Sequence, residues 1–267
     1  MWISRYIFAC LLLAISVNSA AQNYQVVSVQ NGGTISGTVK WSGSVPRPLV
    51  LPITKDNAIC DPESAKTRDL ERLIIGPTGG VANTVVFIKN ITAGKPFNLP
   101  EPRRFLDQKH CRYVPHILLV PESTALQMKS SDATLHTVHM TGVATYNLPF
   151  PFVNQVVART MPTTGLVNLQ CNGGHLWMNA QMFVVPHPYY TVTDESGKFE
   201  LTDLPPGDYQ VVAWHEGWHL LRKESAVDVL TQQAVMRPVF SEPRTSDKRV
   251  TVLGNDNQQV NFIFSEK

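Results

Sequence analysis

The sequence predicts an all-β protein. Short segments rich in Val, Ile and aromatic residues alternate with turns of Gly, Pro, Asn and Asp, which is typical of β-sandwiches. The 267-residue chain also contains 19 prolines. Prolines spread through a chain disfavour long helices, because each one removes a backbone donor and fixes φ. No internal repeat or low-complexity tract interrupts this pattern.

The predicted strands are rich in β-branched and aromatic residues and are bounded by turn residues. In chain order they are 34–41, 83–89, 113–120, 125–129, 166–170, 181–185, 198–201, 209–214 and 259–264. Residues 194–197 have the composition of a hairpin turn, and the Pro-Pro-Gly at 205–207 that of a second turn. Residues 60–73 are polar and predict a surface loop with one helical turn. The 224–236 segment fits either a strand or a short helix, because periodicity does not distinguish them.

The N-terminus has the pattern of a secretory signal peptide over residues 1–21. Arg5 supplies the positive charge, 7–17 is an apolar run, and 19–21 (Ser-Ala-Ala) offers small residues for cleavage. The apolar run is too short to span a bilayer, and no later segment approaches a transmembrane length. We therefore predict a mature chain that begins near Gln22 and is periplasmic or secreted.

The charge balance is close to neutral. The formal net charge of the whole chain is +2 at pH 7, and it falls by one unit when Arg5 is removed with the signal peptide. Such a surface indicates neither nucleic-acid binding nor attachment to a strongly anionic membrane.

The mature chain keeps three cysteines, Cys60, Cys111 and Cys171. In an oxidising compartment two of them should pair, and the third must be protected, reactive or metal-bound. We predict a Cys60–Cys111 disulfide that leaves Cys171 as a thiolate. Two alternatives stay open, in which Cys171 is an inert buried thiol or a partner in the disulfide.

A short loop brings together three kinds of metal ligand. Residues 171–178 (CNGGHLWM) offer the thiolate of Cys171, the imidazole of His175 and the thioether of Met178, and His136 and His139 precede them. A thiolate, two imidazoles and a weak axial Met suit copper in both oxidation states, because soft sulfur favours Cu(I) and nitrogen tolerates Cu(II). The two glycines let the backbone fold closely around an ion. The pattern predicts a mononuclear copper site with one-electron chemistry.

The two ends of the mature chain carry one family resemblance. The segments concerned are 33–41 (GTISGTVKW), 79–87 (GGVANTVVF) and 193–209 (TDESGKFELTDLPPGDY). They resemble carboxypeptidase regulatory-like, or transthyretin-like, β-sandwich domains. We expect this domain to serve as a scaffold or docking module, because no catalytic cluster is visible in it.

The middle of the chain carries a second resemblance. Its segments are 113–120 (YVPHILLV), 124–132 (TALQMKSSD), 135–139 (LHTVH) and the Cys171 loop. Together they resemble a cupredoxin, or plastocyanin-like, domain, in which a strand leads to a turn bearing Asn or Asp, a His ligand and later a Cys-His-Met loop. The resemblance implies a cupredoxin Greek-key sandwich over 93–186, inserted between the two parts of the regulatory-like sandwich at 30–92 and 187–267. The arrangement is similar to bacterial proteins labelled methylamine-utilisation or plastocyanin-like.

The cupredoxin resemblance also implies a ligand set for one copper ion. The implied ligands are His136, Cys171, His175 and Met178. A related loop, which holds a purple binuclear copper centre, has a further Cys four residues before the first. Val167 occupies that position here, so the sequence predicts a single ion.

The distant histidine ligand has three candidates. Cupredoxins use a His followed by Asn-Val, and this chain has His136 followed by Thr137 and Val138, which favours His136. Thr137 stands where the family has an Asn whose hydrogen bonds brace the two ligand loops. His139 remains an alternative as a ligand or supporting group, and His116 as an additional ligand or an ordinary core histidine.

A competing motif lies at 215–219 (HEGWH), which matches the H-E-x-x-H signature of zinc peptidases. That signature functions on a helix, which presents both histidines on one face. Residues 209–214 have a β pattern, and Gly217 weakens any helix at this point. We therefore predict the end of a strand here and no zinc hydrolase.

These observations predict an exported copper protein rather than an enzyme, with no catalytic residue. Electrons would pass through the edge of His175 to a transient redox protein partner, with Leu176 and Trp177 in an apolar docking face, since redox encounters use small interfaces. The alternatives are a copper-binding or delivery module without electron transfer and a metal-free interaction or structural protein.

Overall fold

The computed structural model describes residues 24–98, 105–228 and 232–266. Its regular structure consists of strands and one short helix, α1 (Asn57–Cys60). In chain order the strands are β1 (Gln25–Val26), β2 (Gly33–Ser42), β3 (Val50–Pro52), β4 (Thr67–Asp69), β5 (Val85–Ile88), β6 (Ala93–Gly94), β7 (Phe105–Lys109), β8 (Arg112–Val114), β9 (Ile117–Pro121), β10 (Ala125–Ser130), β11 (His136–Gly142), β12 (Tyr146–Phe150), β13 (Val156–Thr160), β14 (Gly165–Gln170), β15 (Asn179–Val185), β16 (Tyr190–Val192), β17 (Lys198–Leu204), β18 (Gly207–His215), β19 (Leu220–Val227), β20 (Ala234–Phe240), β21 (Arg244–Val252), β22 (Asn257–Gln259) and β23 (Phe262–Ser265). The predicted signal peptide at 1–21 lies outside the described residues. In the described ranges, no helix has the length and apolar character needed to cross a membrane.

Strands β7 to β15 form two sheets, which we call the central sandwich. Their strand orders are β13-β10-β7-β8 and β12-β11-β14-β15-β9. Each sheet has one parallel pair, β10 with β7 and β15 with β9, and its other pairs are antiparallel. Alternate residues of these strands, among them Val167, Leu169 and Met182, share one buried core, as the two-residue period of a strand requires. The neighbours that are not consecutive in sequence give the sandwich a Greek-key topology.

A second pair of sheets forms what we call the flanking sandwich. Its strand orders are β16-β5-β18-β21 and β17-β2-β22, with β23 also paired to β2. Strands β2 and β5 precede the central sandwich in sequence and the others follow it, so the flanking sandwich is discontinuous. Strand β2 passes very close to its neighbour at Gly37, where a Cβ atom would lie 1.8 Å from the Val260 carbonyl oxygen, and only glycine fits such an approach. The predicted fold class, a cupredoxin Greek-key sandwich plus a discontinuous transthyretin-like sandwich, is confirmed.

Two predicted strands are divided in the structure. The 113–120 segment forms β8 and β9, which lie in different sheets, because Pro115 between them has no N–H to donate to a ladder. The 259–264 segment contributes to β22 and β23, both of which pair with β2. Of the 224–236 segment, residues 224–227 and 234–236 are strand and contribute to the two arms of the β19–β20 hairpin.

Residues 49–70 pack against the core of the central sandwich. Their buried side chains in that core are Leu51, Ile53, Cys60 and Leu70. A disulfide joins Cys60 to Cys111 between β7 and β8, so the loop predicted at 60–73 is not a plain surface loop. The division into 30–92, 93–186 and 187–267 stays a prediction.

The two sandwiches pack sheet against sheet through an apolar contact. Val85, Ile117 and Trp214 are buried together there. The ring of Phe183 on β15 meets Trp214 on β18 edge to face, with centroids 4.7 Å apart. Aromatic pairs of this geometry add to the stabilisation from buried area, so the contact holds the two sandwiches together.

A buried group of charges centred on Glu216 lies at the same contact. Its carboxylate pairs with Arg72 at 2.9 Å and with His116, and it accepts a hydrogen bond from Gln181 Nε2 at 3.3 Å. Burial raises the pKa of Glu216, but the charges of His116 and Arg72 outweigh that effect and lower it. Glu216 therefore carries a charge that is neutralised inside the protein.

The H-E-x-x-H segment at 215–219 lies at this contact and does not form the helix that a zinc-peptidase motif requires. Strand β18 ends at His215, and the residues after it are not helical. His215 is buried, and Glu216 is occupied by Arg72 and His116. Within the described residues, neither His215 nor His219 belongs to a group that could hold a metal ion.

We predict that Glu216→Gln destabilises the protein strongly, because it leaves the buried Arg72 guanidinium without its counter-charge. Breaking a buried pair in this way costs about 3 kcal/mol or more. The matched control is Glu224→Gln, which breaks the exposed pair with Arg222 and should cost less than about 1 kcal/mol. Urea unfolding of the two variants tests the difference, and equal losses would contradict it.

His187 is buried in a cluster of tyrosine rings. Its ring centroid lies 5.8 Å from that of Tyr24, 6.1 Å from Tyr189 and 5.0 Å from Tyr190. Its Nδ1 accepts the backbone N–H of Tyr189 at 3.3 Å, which requires an unprotonated nitrogen. Burial lowers the pKa of His187 to about 4. The folded protein therefore holds this imidazole neutral.

We predict that His187 makes the protein less stable at mildly acid pH. Its folded-state pKa lies below the ordinary value of about 6.5, so the unfolded chain binds the proton first and stability falls as the pH falls from about 6.5 to 4. In His187→Gln, which keeps an acceptor but does not titrate, the free energy of unfolding lost between pH 7 and 4.5 should be smaller by about 2 kcal/mol. Urea unfolding at both pH values measures it, and parallel losses would refute the assignment.

Candidate metal centre

One edge of the central sandwich gathers the predicted ligands. Strands β11 and β14 are antiparallel neighbours, with His139 opposite Gln170. His136 is the first residue of β11, and Cys171 directly follows β14. The start of one strand and the end of its antiparallel neighbour meet at the same edge, which brings His136 and Cys171 together. Met178 directly precedes β15 at this edge.

Three donor atoms converge there. Nδ1 of His136 lies 3.2 Å from Nδ1 of His175, which lies 3.6 Å from Sγ of Cys171. The ligand atoms of the three residues lie within 4.8 Å of one another, and all three residues are buried. Nitrogen and sulfur donors that share one tetrahedral ion at 2.0–2.3 Å are separated by roughly 3.3 to 3.6 Å. The observed spacing therefore fits a single first-row metal ion.

Each histidine binds a carboxylate through its other ring nitrogen. Nε2 of His136 donates to Asp132 Oδ2 at 3.0 Å, and Nε2 of His175 donates to Asp56 Oδ2 at 2.9 Å. A neutral imidazole has only one ring proton, so each ring, when it is neutral, presents the lone pair of its Nδ1 to the other ring. Lone pairs brought together beside a thiolate require a cation among them, either a proton or a metal ion.

The electrostatics of the cluster keep Cys171 ionised. Burial raises the pKa of its thiol, but hydrogen bonds and positive charge from His136 and His175 outweigh burial and hold that pKa well below its ordinary value. The backbone N–H of Gly173 also donates to Sγ at 3.3 Å. Burial lowers the pKa of His136, but Asp132 and Cys171 together raise it to about 9. The cluster therefore attracts positive charge.

The loop that carries Cys171, His175 and Met178 is closed by its own backbone. The N–H of Met178 donates to the His175 carbonyl at 3.0 Å, and the N–H of Cys171 donates to the Met178 carbonyl at 3.3 Å. Gly174 takes a left-handed φ of 88°, a conformation that glycine adopts freely. Met178 is buried beside the cluster, and its role as an axial ligand stays a prediction.

Thr137 links the two ligand-bearing segments. Its Oγ1 accepts the backbone N–H of Asn172 at 2.6 Å and donates to Cys171 Sγ at 3.8 Å. Thr137 is buried and follows His136 on β11. A hydroxyl thus makes the link at the position where the cupredoxin resemblance implies an Asn.

The other two candidate histidines lie apart from the cluster. His139 is partly exposed on β11, and His116 pairs with Glu216 at the contact between the sandwiches. Neither belongs to the groups of described residues that could hold a metal ion. Of the three candidates, the structure brings only His136 together with Cys171 and His175.

A segment from outside the central sandwich covers the far side of His175. Lys55 Nζ donates to the Gly173 carbonyl at 2.8 Å, and the neighbouring Asp56 accepts the Nε2 proton of His175. His175 is 0% exposed as a result. The edge of His175 therefore has no contact with solvent, and the predicted electron route through it stays a prediction.

The predicted docking face at Leu176 and Trp177 is wrong for Trp177. Its side chain is 2% exposed, and its Nε1 donates to the Cys111 carbonyl at 3.0 Å. The ring packs edge to face against His175, with centroids 5.3 Å apart. Trp177 belongs to the packing around the ligands, because its indole N–H finds an acceptor inside.

The β19–β20 hairpin approaches the same loop from another side. Arg237 donates to the Cys171 carbonyl at 3.2 Å and to Asn172 Oδ1 at 2.8 Å. Burial lowers the pKa of Arg237, and the Cys171 charge opposes that shift. The hairpin thus places a positive charge next to the thiolate.

The Cys60–Cys111 disulfide adjoins the cluster. A ring nitrogen of His175 lies within 4.8 Å of both sulfur atoms. The backbone N–H of Cys111 donates to Asp132 Oδ2 at 2.7 Å. Burial raises the pKa of Asp132, but this bond and the bonds from His136 and the His110 N–H lower it. The disulfide and the carboxylate together support His136.

Sequence reasoning missed Asp56 and Arg237. Asp56 is 119 residues from His175 in the chain, and Arg237 is 66 residues from Cys171. Neither belongs to a recognisable motif, so only the folded chain reveals their contact with the ligand loop.

We predict that Thr137→Val frees the buried N–H of Asn172 and costs about 1 to 3 kcal/mol of stability. Hydrogen exchange of the Asn172 amide in the metal-free protein gives the direct test. The amide should be protected in the wild type and in the control Thr137→Ser, which keeps the hydroxyl, and exchange much faster in Thr137→Val. Equal protection in both variants would show that Thr137 does not hold this amide.

Comparisons with known proteins cover parts of the chain. Residues 187–240 match a family described as BOS complex subunit NOMO1-like, second beta sandwich domain. No curated protein sequence matches. Among solved structures, 26 chains match. The fold of the central sandwich is identified by the strand orders of its two sheets. The central sandwich is cupredoxin-like.

Three solved structures illustrate the similarity. A novel purple cupredoxin from Nitrosopumilus maritimus has 19% identity and a TM-score of 0.25, over 27% of this chain and 81% of that one. A reduced amicyanin variant has 20% identity and a TM-score of 0.29, over 38% of this chain and 98% of that one. A copper-containing nitrite reductase from Thermus scotoductus SA-01 has 15% identity and a TM-score of 0.29, over 37% of this chain and 25% of that one. Similarity this low carries no information on activity.

Proposed function

We propose that this protein is an exported copper protein that transfers single electrons. His136, Cys171 and His175 would hold one copper ion, and Met178 would be a weak fourth ligand. The observation that supports this is the convergence of two Nδ1 atoms and the buried Cys171 sulfur, with the His175 Nδ1 atom 3.2 Å from the His136 Nδ1 atom and 3.6 Å from Sγ. Bound copper supplies a change between Cu(I) and Cu(II), for which this donor set is suited.

The chain's own residues keep the ligands in place. Asp132 and Asp56 bind the Nε2 protons and so direct both Nδ1 atoms inward. Thr137 ties the start of β11 to Asn172 in the ligand loop. Carboxylates that support histidine ligands orient the rings and raise their basicity. Ligands held in this way move little when the charge of the site changes, which favours rapid one-electron transfer.

Burial favours electron transfer over copper delivery. His136, Cys171 and His175 are each 0% exposed, and Lys55 and Arg237 cover the ligand loop. A delivery module has to release its ion to a partner, which requires an accessible ligand. The covered cluster instead suits an ion that is retained through oxidation and reduction.

The remaining parts of the proposal rest on the sequence. The predicted signal peptide at 1–21 places the mature chain in the periplasm or outside the cell, and the electron partner would be a transient redox protein. No side chain is assigned a role as acid, base or nucleophile, so we propose an electron-transfer protein rather than an enzyme. This agrees with the resemblance to bacterial methylamine-utilisation or plastocyanin-like proteins.

Copper loading of the mature chain from Gln22 tests the proposal. After oxidation we expect one tightly held copper ion per chain and an intense visible band from thiolate charge transfer, with a matching electron paramagnetic resonance signal. Cys171→Ser should abolish the band, because a hydroxyl replaces the thiolate. Copper that exchanges freely with a chelator would indicate a delivery module instead, and bound zinc or no metal would contradict the proposal.

The two histidines on β11 provide the matched comparison. His136→Ala should remove the band, because it deletes one of the converging Nδ1 atoms. His139→Ala changes the same residue type three positions along the same strand and should leave the band unchanged. The reverse result would assign the ligand to His139.

A further inference from the structure

A carboxylate from outside the central sandwich contacts a proposed copper ligand. Asp56 lies directly before α1, in the segment that packs on the metal edge. Its Oδ2 accepts the Nε2 proton of His175 at 2.9 Å and the hydroxyl proton of Thr134 at 2.7 Å. The hydrogen bond from Thr134 orients the carboxylate, so a second side chain fixes the geometry of its contact with His175.

Helix capping does not account for this carboxylate. Asp56 is the N-cap residue of α1, yet its side chain makes no capping hydrogen bond, although Asp is among the residues that cap helices best. Its backbone is left-handed, with φ 51° and ψ 40°, which is uncommon for a residue other than glycine. Conformations of this kind persist where the surroundings impose them, often at functional sites. Here the side chain is turned away from the helix and toward His175.

We propose that Asp56 is a positioning residue of the metal centre, an inference that rests on the copper site proposed above. By holding the Nε2 proton, Asp56 keeps the lone pair of His175 on Nδ1 and prevents the ring from turning. The negative carboxylate also makes the imidazole more basic. The negative charge stabilises the more highly charged Cu(II) relative to Cu(I), because the attraction grows with the charge of the ion.

The disulfide holds Asp56 at this place. Cys60 ends α1, and its N–H donates to the Asp56 carbonyl at 2.8 Å. Cys111, the other half of the disulfide, donates its N–H to Asp132, which binds His136. One covalent link therefore connects the carboxylates that support the two histidines.

Asp56→Asn tests the positioning role, because it keeps the shape of the side chain and removes its charge. We expect the preference of the site for Cu(II) over Cu(I) to fall about tenfold, which raises the reduction potential of a one-electron couple by about 59 mV. The matched control is Asp61→Asn, in the same segment, whose carboxylate accepts the N–H groups of Ala65 and Lys66 and makes no contact with His175. Redox titration of the visible band measures both variants. No shift in Asp56→Asn, or an equal shift in Asp61→Asn, would overturn the role.

The metal-free protein gives a readout that does not depend on copper. In nitrogen-15 spectra of the histidine rings, His175 should carry a slowly exchanging Nε2 proton, and Asp56→Ala should make it exchange rapidly. A wild-type protein without the thiolate band would contradict the proposed function and this inference with it. A wild-type protein that shows the band, with a His175 proton and a potential that are indifferent to Asp56, would overturn the positioning role alone.

A double-mutant cycle tests the part played by the disulfide. Cys60→Ala combined with Cys111→Ala should raise the potential in the same direction as Asp56→Asn. In the Asp56→Asn background the same pair of changes should have a much smaller effect, because the group that the disulfide positions has already lost its charge. Fully additive shifts would overturn the claim that the disulfide acts through Asp56.

Discussion

The buried negative charge of Cys171 is the constraint on which this edge of the central sandwich depends. A thiolate away from water is costly unless hydrogen-bond donors and positive charge surround it. The donors here are the Gly173 N–H and the Thr137 hydroxyl, and the positive charge comes from the histidines and Arg237. These groups come from three elements, so stabilising one sulfur atom requires β11, the ligand loop and the β19–β20 hairpin to meet at one place.

The contact between the two sandwiches also contains a buried negative charge that needs positive partners. Glu216 is buried in an otherwise apolar contact and is neutralised by Arg72, from the segment before β5, and by His116, from the turn between β8 and β9. A buried charge with partners on distant segments adds little net stability. A packing of those segments that separated the charge from its partners would, however, be strongly disfavoured. The pairing therefore fixes how the sandwiches meet, while Trp214 and Phe183 supply the buried apolar area.

Local patterns made the strands and the ligand loop predictable. Strands β2, β14 and β18 could be predicted from β-branched and aromatic residues bounded by turn residues, and Cys171, His175 and Met178 lie within eight residues of sequence. The predictions that failed concerned residues whose positions depend on contacts with distant segments of the chain. Pro115 divides a continuous apolar run between two sheets, and Trp177 is buried because other segments cover its loop. Asp56 and His175 are 119 residues apart in the chain, and a local sequence motif cannot predict a contact over such a separation.

The discontinuity of the flanking sandwich sets an order of assembly. Strand β2 pairs with β23, with Val39 opposite Phe262, so one of the first strands to be synthesised cannot complete its sheet until the last one has emerged. Long-range pairings of this kind form slowly. Every residue of the ligand cluster emerges before Arg237 and the hairpin that carries it. The part of the cover that Arg237 contributes is therefore added only after all residues of the cluster have been synthesised.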